Sequence, residues 1–564
     1  MSCKRPVLFL FVLLAAAGQI TAQLQTPLTG VSEPFLIKPG STFSASGGSK
    51  RGISSAANRI ANDIREAQAI VLRHHFDAGQ IKAESITKSA LASMLHSLDP
   101  HSNFHDAAEW RELLDEQKSG YSGIGASIGE FTDGTTSDTY ILSVVPGSPA
   151  ANARLRFGDR IVSVNGRKTT GIGLSHVRDM IRGASGSNFT LAVERAATGR
   201  IEDLVLARNV VTQPSIPDAY IIRPGVGYID LTEGFNYTTS DEFDRALRDL
   251  KRQGMRSLVL DLRWNGGGIL DQAVKVAEKF LPAGTQILSQ RGRGPLDARI
   301  YRSDTASAET MPLVVLVNDR TASASEIVAG AFQDHDRAVI VGEKTYGKGL
   351  VQTVIDLPGG SGLTLTTGRY LTPSGRSIQR DYSSVDIYDY YNQKTPSSGT
   401  GKAFFEARTI TDRRVFGGDG IRPDEEVKAN EMTIEQAKLL DPIFFFVRDL
   451  ISGKIPGMES YNAALVFGTT MPLPKKIALS ERMIAKFSRY LPGHGQIGIN
   501  AGAAFTESAF ISRQIRYCLV MGLKGPAAAN RAIAVDDPQI VHAVDALPRA
   551  ARLANLAKTI RHRK

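Results

Sequence analysis

Cysteine is almost missing from this chain: only Cys3 and Cys518 occur in 564 residues. Two such distant thiols, one of them in a segment expected to be removed, exclude an internal disulfide framework and a cysteine-based metal cluster. Long apolar runs are scarce as well. The run from Val7 to Gly18 holds 12 residues, where about 20 are needed to cross a bilayer as a helix. No nucleic-acid motif accompanies the net charge of +10. The charge therefore reads as a surface property, suited to an anionic envelope, a membrane surface or a cell-wall polymer. His101 and His105 have no further ligand at metal-site spacing, so no metal is expected.

What is present is ordinary for a globular protein of several domains: 42% hydrophobic and 22% charged residues. Residues 1–22 have the make-up of an export signal. Lys4 and Arg5 precede the apolar run, and Ile20-Thr21-Ala22 ends on a small residue. The expectation is a periplasmic or secreted protein, held at the inner membrane if the signal stays uncleaved. Residues 23–53 are rich in Pro, Gly, Ser and Thr and read as a flexible leader. Residues 54–107 form a helical region, with Ile60, Ile64, Ala67 and Ile70 at helical spacing. It ends in Leu98-Asp99-Pro100-His101-Ser102.

Within 211–432, apolar runs alternate with amphipathic stretches, which is α/β patterning. Val226–Leu231, Leu258–Leu262 and Leu313–Val317 read as strands. Thr239–Leu250 and Leu270–Phe280 read as helices. Arg263-Trp264-Asn265-Gly266-Gly267-Gly268 joins a strand to a helix. Its glycines let backbone approach a ligand closely, but the Gly-Lys-Ser/Thr ending of a phosphate-binding loop is absent. Asp381–Lys402 reads as a loop excursion. Residues 433–564 are mainly helical in pattern, carry no recognisable chemistry, and are candidates for dimerisation or for restricting access to the site.

Three serine patterns compete. Gly125-Ala126-Ser127-Ile128-Gly129 has the spacing of a nucleophile elbow, but not between a strand and a helix. Ser85-Ile86-Thr87-Lys88 has Ser-x-x-Lys spacing in an amphipathic helix, without a Lys-Thr-Gly partner. The third is Ser323, at a strand-to-helix junction, with Gly347-Lys348-Gly349 after the next strand. A serine hydroxyl needs a base. A lysine amine can serve if burial lowers its pKa by ~3 units, which costs about 4 kcal/mol. Gln352, four residues beyond Lys348, can orient either group. Ser323-Ala324-Ser325-Glu326 is also a capping box, and the two readings are compatible.

The segment TASASEIVAGAFQDHDRAVIVGEKTYGKGLVQ resembles the active-site region of the C-terminal processing peptidases, or tail-specific proteases. The similarity extends over roughly residues 57–440. It implies a crotonase-like α/β core, a Ser/Lys-dyad endopeptidase, and no metal or organic cofactor. The family's serine falls on Ser323, its lysine on Lys348, its glutamine on Gln352 and, in some members, a contributing glutamate on Glu326. The oxyanion hole falls on backbone N–H groups of Gly266 or Gly267 and of Ala324. Residues 108–210 resemble a PDZ domain, with Tyr121-Ser122-Gly123-Ile124-Gly125-Ala126 as its carboxylate-binding loop and Leu174–Ile181 as the groove helix. Gly123, Ile124, Gly125, Ala126, Val177 and Ile181 are the expected peptide contacts, and an apolar last residue is the expected ligand. Candidate partners are proteins with apolar C-termini, an envelope adaptor and a second copy of the chain; a non-catalytic PDZ adaptor is the alternative.

Overall fold

The computed structural model describes residues 50–118, 120–294, 298–383, 387–392, 405–462, 481–494 and 503–563. The expected export signal and nearly all of the leader lie outside the described residues. The chain opens with helices α1 (Lys50–His74) and α2 (Ala83–His96), then strand β1 (Asn103–His105) and helix α3 (Ala107–Gln117). Ser85 and Lys88 lie on α2, where Lys88 pairs with Asp106 and Glu109. That motif is a helix surface.

The PDZ-like domain follows. Strand β2 (Gly120–Gly123) leads in and β8 (Asn209–Thr212) leads out, and the two pair as an antiparallel ribbon. Between them lie β3 (Ala126–Thr132), β4 (Ser137–Val144), β5 (Arg160–Val164), α4 (Leu174–Ile181), β6 (Asn188–Glu194) and β7 (Ile201–Ala207). The sheet order is β3-β4-β5-β6-β7, with Arg167–Lys168 paired to β5. Strand β3 is an edge strand beside α4.

The core is built on a six-stranded sheet. Its strands are β9 (Asp218–Arg223), β10 (Val226–Asp230), β11 (Ser257–Asp261), β14 (Leu313–Val317), β15 (Val339–Gly342) and β18 (Glu425–Glu426), in that spatial order. All neighbours but β9 and β10 are parallel. Every residue of β14 is buried, as a central parallel strand covered on both faces requires. One face is covered by α5 (Thr239–Arg252), α6 (Leu270–Glu278) and α7 (Ala324–Asp334). Phe243, Ala246, Leu247 and Leu250 of α5 recur at helical spacing and are all buried there. A second, antiparallel sheet joins β1, β12 (Gln286–Gly292), β13 (Arg299–Arg302), β16 (Leu350–Asp356) and β17 (Gly362–Leu371). It carries the chain from the N-terminal region directly onto the core, because β1 pairs with β17.

The C-terminal region is helical where described: α9 (Leu440–Ile451), α10 (Glu481–His494), α11 (Ser508–Lys524), α12 (Pro526–Ala534) and α13 (Pro538–Arg563) are its longer helices. It joins the other two parts within one chain. Helix α9 packs on the PDZ-like sheet through Phe444, which stacks on Phe131 at 3.6 Å. Helix α13 covers the other face of the core sheet, with Ile540, Ala543, Val544 and Leu547 against Val259, Val314, Val339 and Val341. Among the described residues no helix is long and apolar enough to cross a membrane.

Candidate active site

The turn after β14 places Ser323 at the N-terminus of α7, and its backbone has φ +55. A left-handed, non-glycine residue is uncommon and strained. Here it is held by hydrogen bonds on both sides. Ala322 N–H donates to Asn265 O at 3.0 Å, and Ser323 N–H donates to Glu326 Oε2 at 2.9 Å. Glu326 thus fills the capping-box position. The Ser323 Oγ, however, is fully buried without a hydrogen-bond partner. The Glu326 half of the box is therefore a formed hydrogen bond, while the Ser323 hydroxyl stands at the helix N-terminus with no hydrogen bond to tie it up. Ser127 lies within β3, with no strand-to-helix turn.

Lys348 enters from the loop between β15 and β16. Glu326 ties this loop to the serine turn. Its Oε2 also accepts Lys348 N–H at 2.8 Å, and its Oε1 accepts Gly347 N–H at 2.7 Å and Thr345 Oγ1 at 2.5 Å. Burial pushes the Glu326 carboxyl up, and these four donors hold it back. The Lys348 Nζ donates to Gln352 Oε1 at 2.9 Å on β16. Lys348 is 1% exposed. Burial lowers its pKa from 10.5 to about 7, against the pull of the Asp99 and Glu326 carboxylates. Gln352 Nε2 in turn donates to the His101 carbonyl.

In the sequence Asp99 carried no site signal and His101 only that of a metal ligand, although Leu98-Asp99-Pro100-His101-Ser102 stood out as a motif. Asp99 Oδ1 accepts His101 N–H and Ser102 N–H, both at 2.8 Å, and Oδ2 accepts Ser102 Oγ at 2.7 Å. That turn aims the His101 carbonyl at Gln352. His101 Nε2 pairs with Tyr390 Oη at 2.8 Å, and burial first, then Lys348 and Arg380, push its pKa well below the usual range. Tyr390 lies on α8 (Ile387–Tyr391), inside the expected loop excursion. It packs with Tyr346 and Ala322 over the serine turn, and Arg380 sits between the Tyr346 and Tyr390 rings at 4.1 and 4.2 Å.

The glycine loop after β11 forms the opposite wall. Gly267 has φ +103, and a Cβ there would stand 2.8 Å from Ser323 Cβ and 3.0 Å from Ala324 N. Only glycine lets the loop approach the serine this closely. Gly267 N–H donates to Asn265 Oδ1 at 2.9 Å, so this donor is engaged. A Cβ on Gly266 would meet nothing within 4 Å, so Gly266 borders open space. Asn265 holds both walls: its carbonyl also accepts Ser325 Oγ at 3.0 Å, and its Nδ2 donates to Leu231 O at 2.7 Å.

The expected peptide contacts are less open than the sequence suggests. Ile124, Val177 and Ile181 are buried in the PDZ-like core, because α4 rests on β3 and the two apolar faces meet. Gly123 sits in the ribbon, paired with Asn209. Gly125 has φ +72, and a Cβ there would fall 2.4 Å from Ser148 Cβ; Ala126 is half-buried on β3. The edge of β3 away from β4 pairs with no strand among the described residues.

The description of peptidase family S41 matches residues 225–388, and that of the PDZ domain matches residues 140–195. The chain is 36% identical over 311 residues to the carboxy-terminal-processing protease of Bartonella bacilliformis, covering 54% of this chain and 69% of the relative. It is 36% identical over 316 residues to the chloroplastic C-terminal processing peptidase of Tetradesmus obliquus, covering 53% and 67%. It is 32% identical over 337 residues to the carboxy-terminal processing protease CtpA of Bacillus subtilis, covering 59% and 70%. The chain belongs to the carboxy-terminal-processing proteases of peptidase family S41, serine-type enzymes, and carries a PDZ domain.

Proposed function

We propose that this enzyme is an exported endopeptidase that takes polypeptides by apolar C-terminal tails and cuts them with a Ser323/Lys348 dyad. One observation carries the reading: a single buried oxygen, Glu326 Oε2, accepts the backbone N–H of both Ser323 and Lys348. An uncommitted hydroxyl and an amine with a pKa of about 7 are thereby tied to one anchor. In the proposed reaction Ser323 Oγ attacks the scissile carbonyl. Neutral Lys348 takes the hydroxyl proton and then passes it to the leaving amine. Gln352, fixed by the His101 carbonyl, keeps the amine oriented. Gly266 N–H and Ala324 N–H supply the oxyanion donors, each worth ~3 kcal/mol in the transition state. Ser323 is fully buried in this state, so substrate binding must open the site and close the serine–lysine hydrogen bond.

The free edge of β3 suits strand addition by a tail peptide. Movement of α4 away from β3 would uncover Ile124, Val177 and Ile181 for an apolar last residue. Export rests on the composition of residues 1–22. The test uses an unstructured polypeptide with an apolar tail and the same chain with a charged last residue. Ser323→Ala and Lys348→Ala are each expected to abolish cleavage, and the charged tail to slow it about tenfold or more, since burying a lone charge is expensive. Wild-type turnover in either variant sinks the dyad, and equal rates on both tails sink the recognition.

A further inference from the structure

Arg263 begins the glycine loop, and its guanidinium is shared between two parts of the chain. On the core side, Nε donates to both Asp261 carboxylate oxygens at 3.0 Å and Nη2 to Oδ2 at 2.6 Å. On the other side, Nη1 donates to Asp537 Oδ2 and to Gln539 Oε1, both at 2.8 Å. Among the described residues both Nη1 partners come from the C-terminal helical region, which the peptidase description does not reach. Arg263, Asp261, Asp537 and Gln539 are all buried.

Asp537 is itself fixed. Its Oδ1 caps α13 by accepting Gln539 N–H at 2.9 Å and Ile540 N–H at 3.2 Å, and Gln539 Nε2 donates to Val427 O at 2.7 Å. On the other side of Arg263 the loop is strained. Trp264 has φ +68, with its N–H held by Asn318 Oδ1 at 2.9 Å. Asn265 comes next, which binds both the serine turn and Gly267 N–H. A strained backbone keeps its shape only where its surroundings over-determine it. Here one of the fixing groups arrives from 274 residues away.

We infer that Asp537 is a positioning residue for peptide hydrolysis: it fixes Arg263, and through Arg263 the Trp264–Gly267 turn that presents the Gly266 N–H to the oxyanion. The inference rests on the Ser323 reading above. It makes the C-terminal helical region part of the catalytic apparatus rather than an appended domain.

The test uses the full chain and compares Asp537→Asn, Arg263→Gln, the double variant and Asp536→Asn. Asp536 is a neighbour that pairs with Arg516 instead. The readouts are kcat and KM on the unstructured polypeptide with an apolar tail, and inhibition by a peptidyl boronate, which forms a tetrahedral adduct on serine. Asp537→Asn is expected to lower kcat ~10–100-fold with KM within about twofold, the pattern of an interaction made only in the transition state. Boronate affinity should fall in step. Arg263→Gln should match it, the double variant should be no worse than the poorer single, and Asp536→Asn should stay within about twofold of wild type. If Asp537→Asn does not fold, Gln539→Met, which removes only the second acceptor, is expected to lose ~3–10-fold in kcat by the same criterion. Unchanged kcat in the folded variant, a rise in KM alone, or additive losses in the double variant overturn the inference. Full activity of Ser323→Ala would instead strike the dyad itself, so the two failures are separable.

Discussion

Lys348 titrates near 10.5 when free and at about 7 when buried. A shift of this size corresponds to roughly 5 kcal/mol. Its sign follows from linkage. The folded pKa is depressed, so between pH 7 and 10.5 the unfolded chain binds the extra proton and stability rises with pH. Below pH 7 the whole penalty applies, and above 10.5 it vanishes. Lys348→Met is therefore expected to raise the melting temperature at neutral pH, by an amount that shrinks as pH is raised towards 10. A gain that did not change with pH would point to packing rather than to the charge. The same neutral amine sets activity: kcat should fall away below about pH 7, because protonation removes the base. Burial keeps the His101 imidazole well below its usual range, so His101 is not the group expected to set this limb.

The glycine loop can be tested as an element, because two adjacent glycines play opposite parts. Gly267→Ala would set a Cβ against Ser323 Cβ and two backbone atoms in a left-handed conformation. It is expected to destabilise by about 1–3 kcal/mol and to lower kcat by ~100-fold or more through displacement of the serine. Gly266→Ala meets nothing within 4 Å and should melt close to wild type. Thermal melts and kcat for the pair decide the matter; equal effects would mean that the approach to Ser323 is not what requires glycine. This loop, Ser323 and Lys348 were legible in the sequence because each lies within one strand–turn–helix or strand–loop–strand segment, where local pattern is informative. The partners that complete the site were not. The His101 carbonyl reaches Gln352 across 251 residues, and no periodicity encodes that meeting. The groove was less legible for a different reason: Ile124, Val177 and Ile181 have the same pattern whether they line a slot or fill a core. Capping chemistry at Ser323 was legible too, but the positive φ of its backbone was not.

On the scale of the whole molecule, the C-terminal helices link the PDZ domain to the core. Helix α9 holds the PDZ sheet by Phe444, stacked on Phe131 and edge-on to Tyr140 at 5.0 Å. Arg448 adds a 2.7 Å bond from Nε to the Gly158 carbonyl. Helices α12 and α13 grip the core by Arg531, paired with Asp218, and by the apolar face on β14 and β15. Helices α9, α11 and α12 pack on one another through their described residues, so the two grips brace the PDZ domain against the core. Removing a fully buried phenylalanine ring from such a joint costs about 3–5 kcal/mol. Phe444→Ala is therefore expected to loosen the brace without touching the catalytic residues. Hydrogen exchange should quicken in β3, β4 and α9 and stay unchanged in β14 and β15, since local opening follows local contact. If exchange instead quickened evenly through the core strands, the helical region would be an integral part of one cooperative unit, and PDZ movement could not be separated from unfolding of the catalytic sheet.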